Sequence, residues 1–458
     1  MLFRSISRPV TTASATTITS LAASPTPAAP LLPVQFFSDP ACATGLSAPF
    51  DILANQSGTA VYVKGRSGSV PSANTTAAQA YTLTAQAAGL TDGTATLTVN
   101  PMVRRGTCPS MAGLSQVVCA VTPPLNTINT SILFFQAAAA ENGSNDNPTD
   151  DFVSCQLQLT SGTAEVQCNR GGTVNTININ WQVLTAPYDA TAGGITVDHR
   201  ATTFTTAPQN ITVPSSATGS SFVLYSQRAP TGQPDTDAND MFIAELTGST
   251  NLRMSFASNG TFATNGYAAT FVTQVVNWSG ANVARATTAG GSGGSFTPAQ
   301  NTPNPGRSFL LYSSRMADIA ETGVDIGTRR LRGDITNGTT LTFDRSRTTA
   351  GHDIGDISWE RVELPTNCQV QKVACNITNT SCTPGAFATA VDRTRAVTFA
   401  SGLGPGGTAT GRTDYATSDR IASSQANFAF TAANAVSGTR ITNNGSSDWV
   451  VWVVEVTP

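Results

Sequence analysis

A strand pattern that returns about every ninety residues constrains this chain most. The aromatic marks Phe135, Tyr225, Tyr312 and Phe399 fall 90, 87 and 87 residues apart, each near the end of a short apolar run. A second mark closes each unit, at Trp181-Gln-Val-Leu, Thr273-Gln-Val-Val, Trp359-Glu-Arg-Val and Trp452-Val-Val-Glu. Between them, Leu224-Tyr225-Ser226-Gln227-Arg228 reappears as Leu311-Tyr312-Ser313-Ser314-Arg315. A frame that recurs inside one chain implies one structural unit used several times.

The frame divides residues 102–458 into units at 102–187, 188–281, 282–366 and 367–458. The first three open on Val103-Arg-Arg105, Val197-Asp-His-Arg200 and Val283-Ala-Arg285. Each then runs through a central strand, a polar loop and a hairpin. The hairpins are tipped by Ser161-Gly162, Gly248-Ser249 and Asn337-Gly338, dipeptides suited to two-residue turns. Thr, Val, Phe, Tyr and Trp suit pleated, half-buried strands, and no capped segment of helical period is long enough to count. The expected fold is all-β: tandem antiparallel β-sandwich domains, Ig-like or jelly-roll-like, with an extended N-terminal arm. Residues 1–34 are Thr/Ala/Pro-rich, and Pro25, Pro27, Pro30 and Pro33 forbid a continuous helix. They have the outline of a signal peptide with a weak apolar core, and are read here as a retained arm. Residues 35–101 read as a separate β domain, with strands at Ala60-Val-Tyr-Val63, Tyr81-Thr-Leu-Thr84 and Ala95–Asn100.

Charged residues make up only 12% of the chain, against 40% hydrophobic ones, which argues for packed cores over disorder. The net charge of −3 names no partner. Only Lys64 and Lys372 are lysines and the arginines are scattered, so nucleic-acid binding is disfavoured. No apolar stretch is long enough for a membrane-spanning helix. Eight cysteines point to an oxidising compartment. A hairpin tipped at Ser161-Gly162 sets Cys155 opposite Cys168, within disulfide reach. Cys108 and Cys119 form a second local pair. Cys368, Cys375 and Cys382 leave one over, to meet Cys42 or another chain.

The segment Ala95-Thr-Leu-Thr-Val-Asn100, ahead of Pro101, resembles the last strand of the Ig-like repeats in bacterial surface proteins. The repeat frame and the Thr/Ala/Gly/Asn composition resemble, at the level of class, secreted proteins built of tandem sandwich repeats, such as adhesins and extracellular filament subunits. That likeness implies an extracellular or cell-surface location. It brings no signature residue.

Catalytic groups are scarce, and no catalytic residue is assigned. His199 and His352 are the only histidines, and each reads as an ordinary surface residue. Gly290-Gly-Ser292-Gly-Gly294 matches a nucleophile elbow on paper, but no helical pattern follows it. Asp235, Asp237, Asn239 and Asp240 alternate oxygen ligands as a structural calcium loop does, without the Gly and bidentate Glu of an EF-hand. No other cofactor is expected. Trp278 and Trp449 fall outside the strict frame and are candidates for a surface contact. Two functions are weighed. The first is a non-enzymatic structural protein that self-associates into a filament or lattice by strand addition, with Val34, Gln35, Phe36 and Phe37 as the docking segment. The alternative is an adhesin or lectin-like protein using loops to bind a glycan or other surface ligand.

Overall fold

The computed structural model describes residues 2–7, 16–26, 34–37, 50–52, 58–65, 79–87 and 93–99 as paired backbone. It also describes residues 102–456, apart from 126, 141–147, 186–193, 205–207, 230–240, 257–268, 303, 318–325, 347, 349–351, 403–420 and 442–445. The protein is nearly all β and divides into two units, one spanning residues 1–102 with 457–458, the other Val103–Val456.

The first unit holds β1 (Leu2–Ser7), β2 (Thr16–Thr26), β3 (Val34–Phe37), β4 (Phe50–Ile52), β5 (Gly58–Gly65), β6 (Gln79–Ala87) and β7 (Gly93–Val99). They form a three-stranded sheet in the order β1-β5-β3 and a four-stranded sheet in the order β4-β2-β6-β7. The segment read as an extended arm thus carries two strands that pair within the chain, β1 on β5 and β2 on β6.

The second unit contains four copies of one six-stranded plan. The first repeat runs β8 (Val103–Thr107), β9 (Gln116–Ala120), β10 (Ser131–Ala140), β11 (Ser154–Thr160), β12 (Thr163–Asn169) and β13 (Thr176–Thr185). Its first, sixth and third strands form one sheet, β8-β13-β10, and its second, fifth and fourth form another, β9-β12-β11. The second repeat repeats this with β14 (Ile195–Phe204), β15 (Gln209–Thr212), β16 (Ser221–Arg228), β17 (Phe242–Gly248), β18 (Asn251–Phe256) and β19 (Ala269–Trp278). The third uses β20 (Asn282–Gly291), β21 (Ser295–Phe296), β22 (Ser308–Met316), β23 (Leu331–Asn337), β24 (Thr340–Arg345) and β25 (Ile354–Glu363). The fourth uses β26 (Cys368–Ile377), β27 (Ser381–Cys382), β28 (Ala396–Gly402), β29 (Asn427–Ala432), β30 (Ala435–Thr439) and β31 (Ser447–Val456).

Both sheets of a repeat share one core. In the first repeat Leu133, Ile179, Trp181 and Val183 from one sheet meet Val117, Leu157, Val166 and the cystines from the other. Period-two alternation drives this burial, as in β12, where every second residue is buried. Two hairpin turns sit one residue beyond the expected tips. Gly248 pairs with Asn251 and Asn337 with Thr340, because an irregularity in the strand before each turn absorbs one residue.

The fourth repeat corrects the sequence frame by one residue. Phe135, Tyr225 and Tyr312 pair across the sheet with Trp181, Thr273 and Trp359. In the fourth repeat the marks Phe399 and Trp452 also pair with each other, but the pair in or against the core is Ala400 with Val451. Phe399 and Trp452 therefore point to the opposite face, since a shift of one residue moves a strand side chain across the sheet. There Phe399 stacks on Phe134 (5.5 Å) and meets Phe309 edge-on (5.2 Å), which in turn meets Phe222 (5.8 Å). The third strands of all four repeats converge on this aromatic string.

The repeats are not strung end to end; they close on themselves. Each opens on an equivalent valine, Val103, Val197, Val283 or Val370, and two residues on stands a basic side chain that bonds to the repeat before it. Arg105 donates to Ala396 O (2.6 Å), His199 Nε2 to Ser131 O (3.0 Å) and Ile128 O (3.2 Å), Arg285 to Thr218 O (2.7 Å) and Ser221 O, and Lys372 to Asp334 (2.6 Å) and Ile335 O. The first of these links repeat one to repeat four and completes the ring.

Two further sets of bonds follow the same circuit. Gln274 of β19 pairs with both the N–H and the C=O of Leu133 (2.8 Å each), as a neighbouring strand would. Gln182 of β13 does the same to Thr398 (3.0 and 2.8 Å), and Glu360 of β25 accepts from Val223 N (2.8 Å). A side chain on each third strand then accepts from a backbone N–H in the fourth strand of the preceding repeat. Ser226 takes Cys155 N (3.3 Å), Ser313 takes Ala244 N (3.1 Å), Ser401 takes Gly333 N (2.7 Å) and Gln136 takes Phe428 N. Buried backbone groups need such partners, and here the neighbouring repeat supplies them.

Candidate functional site

Where the four third strands run past the aromatic string they line a central cavity of about 430 Å³. Its wall is four-fold in plan. Each repeat contributes the stretch after its frame residue, including Gln136, Ser226, Ser313 and Ser401. Each also contributes the residue three before its clasped fourth-strand N–H, namely Phe152, Met241, Arg330 and Gln425. Three of these four equivalent side chains are neutral. The fourth is a guanidinium.

Tyr225 and Tyr312 form the polar side of the wall. Tyr312 Oη donates to Leu331 O and shares a hydrogen bond with Ser401 Oγ (2.8 Å). Burial pushes the Tyr225 hydroxyl up to about 12, against the pull of Arg330, and raises that of Tyr312 as well. Both tyrosines are neutral hydrogen-bonding groups at physiological pH. Glu360 also lines the cavity, paired with Arg285 Nε at 3.1 Å. Burial raises its carboxyl above the ordinary value, and Arg285 and the Val223 N–H offset only part of that.

The cysteines lie elsewhere. Cys155 and Cys168 face each other in the β11–β12 register and are bonded, with Cα atoms 4.1 Å apart. Cys108 is bonded to Cys119 (Cα–Cα 5.4 Å), and Cys375 to Cys382 (6.0 Å). Cys368 is the residue left over: buried, unbonded, with its thiol pushed up to about 12 by burial, hence unreactive.

The remaining sequence candidates separate. Asp235, Asp237, Asn239 and Asp240, and Cys42, lie outside the described residues. Among the described residues no three His, Cys, Asp or Glu side chains gather as a metal site. Val34, Gln35, Phe36 and Phe37 form β3, paired with Gly65, Lys64, Val63 and Tyr62 of β5 on one side, at the edge of that sheet. His199 is a half-buried clasp rather than a free surface residue, and desolvation lowers its pKa. Trp278 and Trp449 are buried, 3% and 7% exposed, so neither is a surface platform. Gly290 belongs to β20, where a Cβ would run into the Ile354 backbone at 2.1 Å. Close packing, and no nucleophile, explains that glycine.

Sequence reading did not find the cavity. The available signal was the basic residue two places after each opening valine, together with Gln182, Gln274 and Glu360 after the closing marks Trp181, Thr273 and Trp359. No family model, no curated protein and no solved structure matches this chain.

Proposed function

We propose that this chain is a non-enzymatic structural protein of the cell exterior that self-associates by strand addition. The observation that carries the reading is β3, a short strand that among the described residues is bonded on one side only, so that its outer N–H and C=O groups are a template for another chain. Three disulfides support an oxidising location, because such bonds persist outside the cytosol. No helix among the described residues is long and apolar enough to cross a membrane. The ring of clasps supports a rigid building block, since it commits the polar side chains between repeats to holding the frame. In this reading the two-sheet repeats are Ig-like in kind, modified to close into a ring. The adhesin or lectin-like alternative draws its support from the central cavity, which Tyr225, Tyr312 and Trp449 line.

Adjacent residues of an edge strand direct their N–H groups to opposite sides, so one of Gln35 and Phe36 points its N–H away from β5. Proline there removes the outward donor and leaves the β5 ladder intact. Of Gln35→Pro and Phe36→Pro, one is expected to stay folded and monomeric in sedimentation velocity at concentrations where the unaltered chain polymerises. A chain that never polymerises, or two variants that polymerise unchanged, defeats the reading.

A further inference from the structure

Arg330 is out of place by every rule that governs the rest of the ring. Phe152, Met241 and Gln425 occupy its position in the other repeats, so the fold does not require a cation there. The other charged side chains between repeats have partners: Arg285 has Glu360, Lys372 has Asp334 and Arg105 has Ala396 O. Among the described residues Arg330 has no partner of that kind. Its Nε is buried without a hydrogen-bond partner, and its guanidinium lies over the Phe152 ring at 5.8 Å. Tyr225 and Tyr312, the polar groups that act on it electrostatically, are both neutral at physiological pH. Burial accordingly lowers its pKa, yet an arginine stays charged in proteins. A half-buried charge with no ion-pair partner among the described residues is open to pairing with an anion that enters the cavity.

The cavity specifies that missing partner. A guanidinium presents a planar fork of donors that matches a carboxylate in two parallel hydrogen bonds. One guanidinium neutralises one negative charge, which suits a monoanion and leaves a phosphate dianion half unpaired. Phe135, Phe152, Tyr225, Phe242 and Trp449 supply aromatic surface for an apolar body, and the volume lies in the range of small-molecule sites. We infer that the central cavity is a binding site for a small organic carboxylate with an apolar or aromatic body, its carboxylate held by Arg330. This goes beyond the structural role and does not depend on it, because binding is measured on single chains whether or not they polymerise.

The test compares benzoate with benzamide, its neutral isostere, and 4-phenylbutyrate with 4-phenylbutyramide, by titration calorimetry on the full chain. Each carboxylate is expected to bind at least tenfold more tightly than its amide. Arg330→Met keeps the length and removes the charge. It is expected to erase the preference for the carboxylate and, without ligand, to melt no lower than the unaltered chain, having lost a half-buried charge with no ion-pair partner among the described residues. Arg330→Lys is expected to recover part of the preference. Equal binding of acids and amides, no binding of either acid, or an unchanged preference in Arg330→Met overturns the inference. So does an unliganded Arg330→Met that melts well below the parent, since that marks Arg330 as a structural residue. If Arg330→Met does not fold, that outcome likewise counts as structural and against the site.

Discussion

At the scale of single residues, the clasps show how side-chain type decides what a buried position can do. Gln182 and Gln274 each carry a donor and an acceptor, so each satisfies both backbone groups of one residue across the interface. Glu360, at the same position in the third repeat, can only accept, and it enlists Arg285. The cost appears in its titration. A carboxyl whose folded pKa is raised contributes stability that is whole below its ordinary value of 4.5 and is lost as pH rises through the raised one. Glu360→Gln should therefore flatten this part of the pH dependence: relative to the parent, the variant should gain melting temperature as pH goes from 4 to 8. A constant offset across that range would contradict the assignment. The same residues explain what was readable beforehand. The Cys155–Cys168 pairing follows from hairpin symmetry about Ser161-Gly162, where both residues have positive φ (51° and 81°). The role of Gln274 was not readable, because a polar residue alternating with apolar ones on a strand looks the same whether it faces water or another repeat.

At the scale of elements, strand positions and the six-strand plan were legible because alternation and turn residues are local signals. Their side assignment in the fourth repeat was not. Aromatic residues at Phe399 and Trp452 imitate the core marks of the other repeats and even pair with each other across the sheet, and only the packing of Ala400 and Val451 on the core shows that the marks sit one residue out of phase. The third strand is the element on which the ring depends. It is an edge of its own sheet, and the next repeat covers that edge with side chains instead of a strand. Gln274→Leu should leave the Leu133 N–H and C=O buried and unpaired, a loss of about 1–3 kcal/mol in denaturant unfolding. A loss below about 0.5 kcal/mol would mean the edge finds other partners and is not held by that amide.

For the whole molecule, sequence periodicity gives the number of repeats and leaves their arrangement open. A linear array and a closed ring share the same strands, hairpins and spacing. They differ only in whether the last repeat meets the first. Gln182 with Thr398, Arg105 with Ala396 O and Phe134 with Phe399 make that contact here, and the central cavity exists because of it. Small-angle X-ray scattering on residues 103–456 tests closure most directly. Closure predicts a radius of gyration of about 20 Å, that of one compact body of this length. A value of about 35 Å or more, as four separately folded repeats in a row would give, contradicts it.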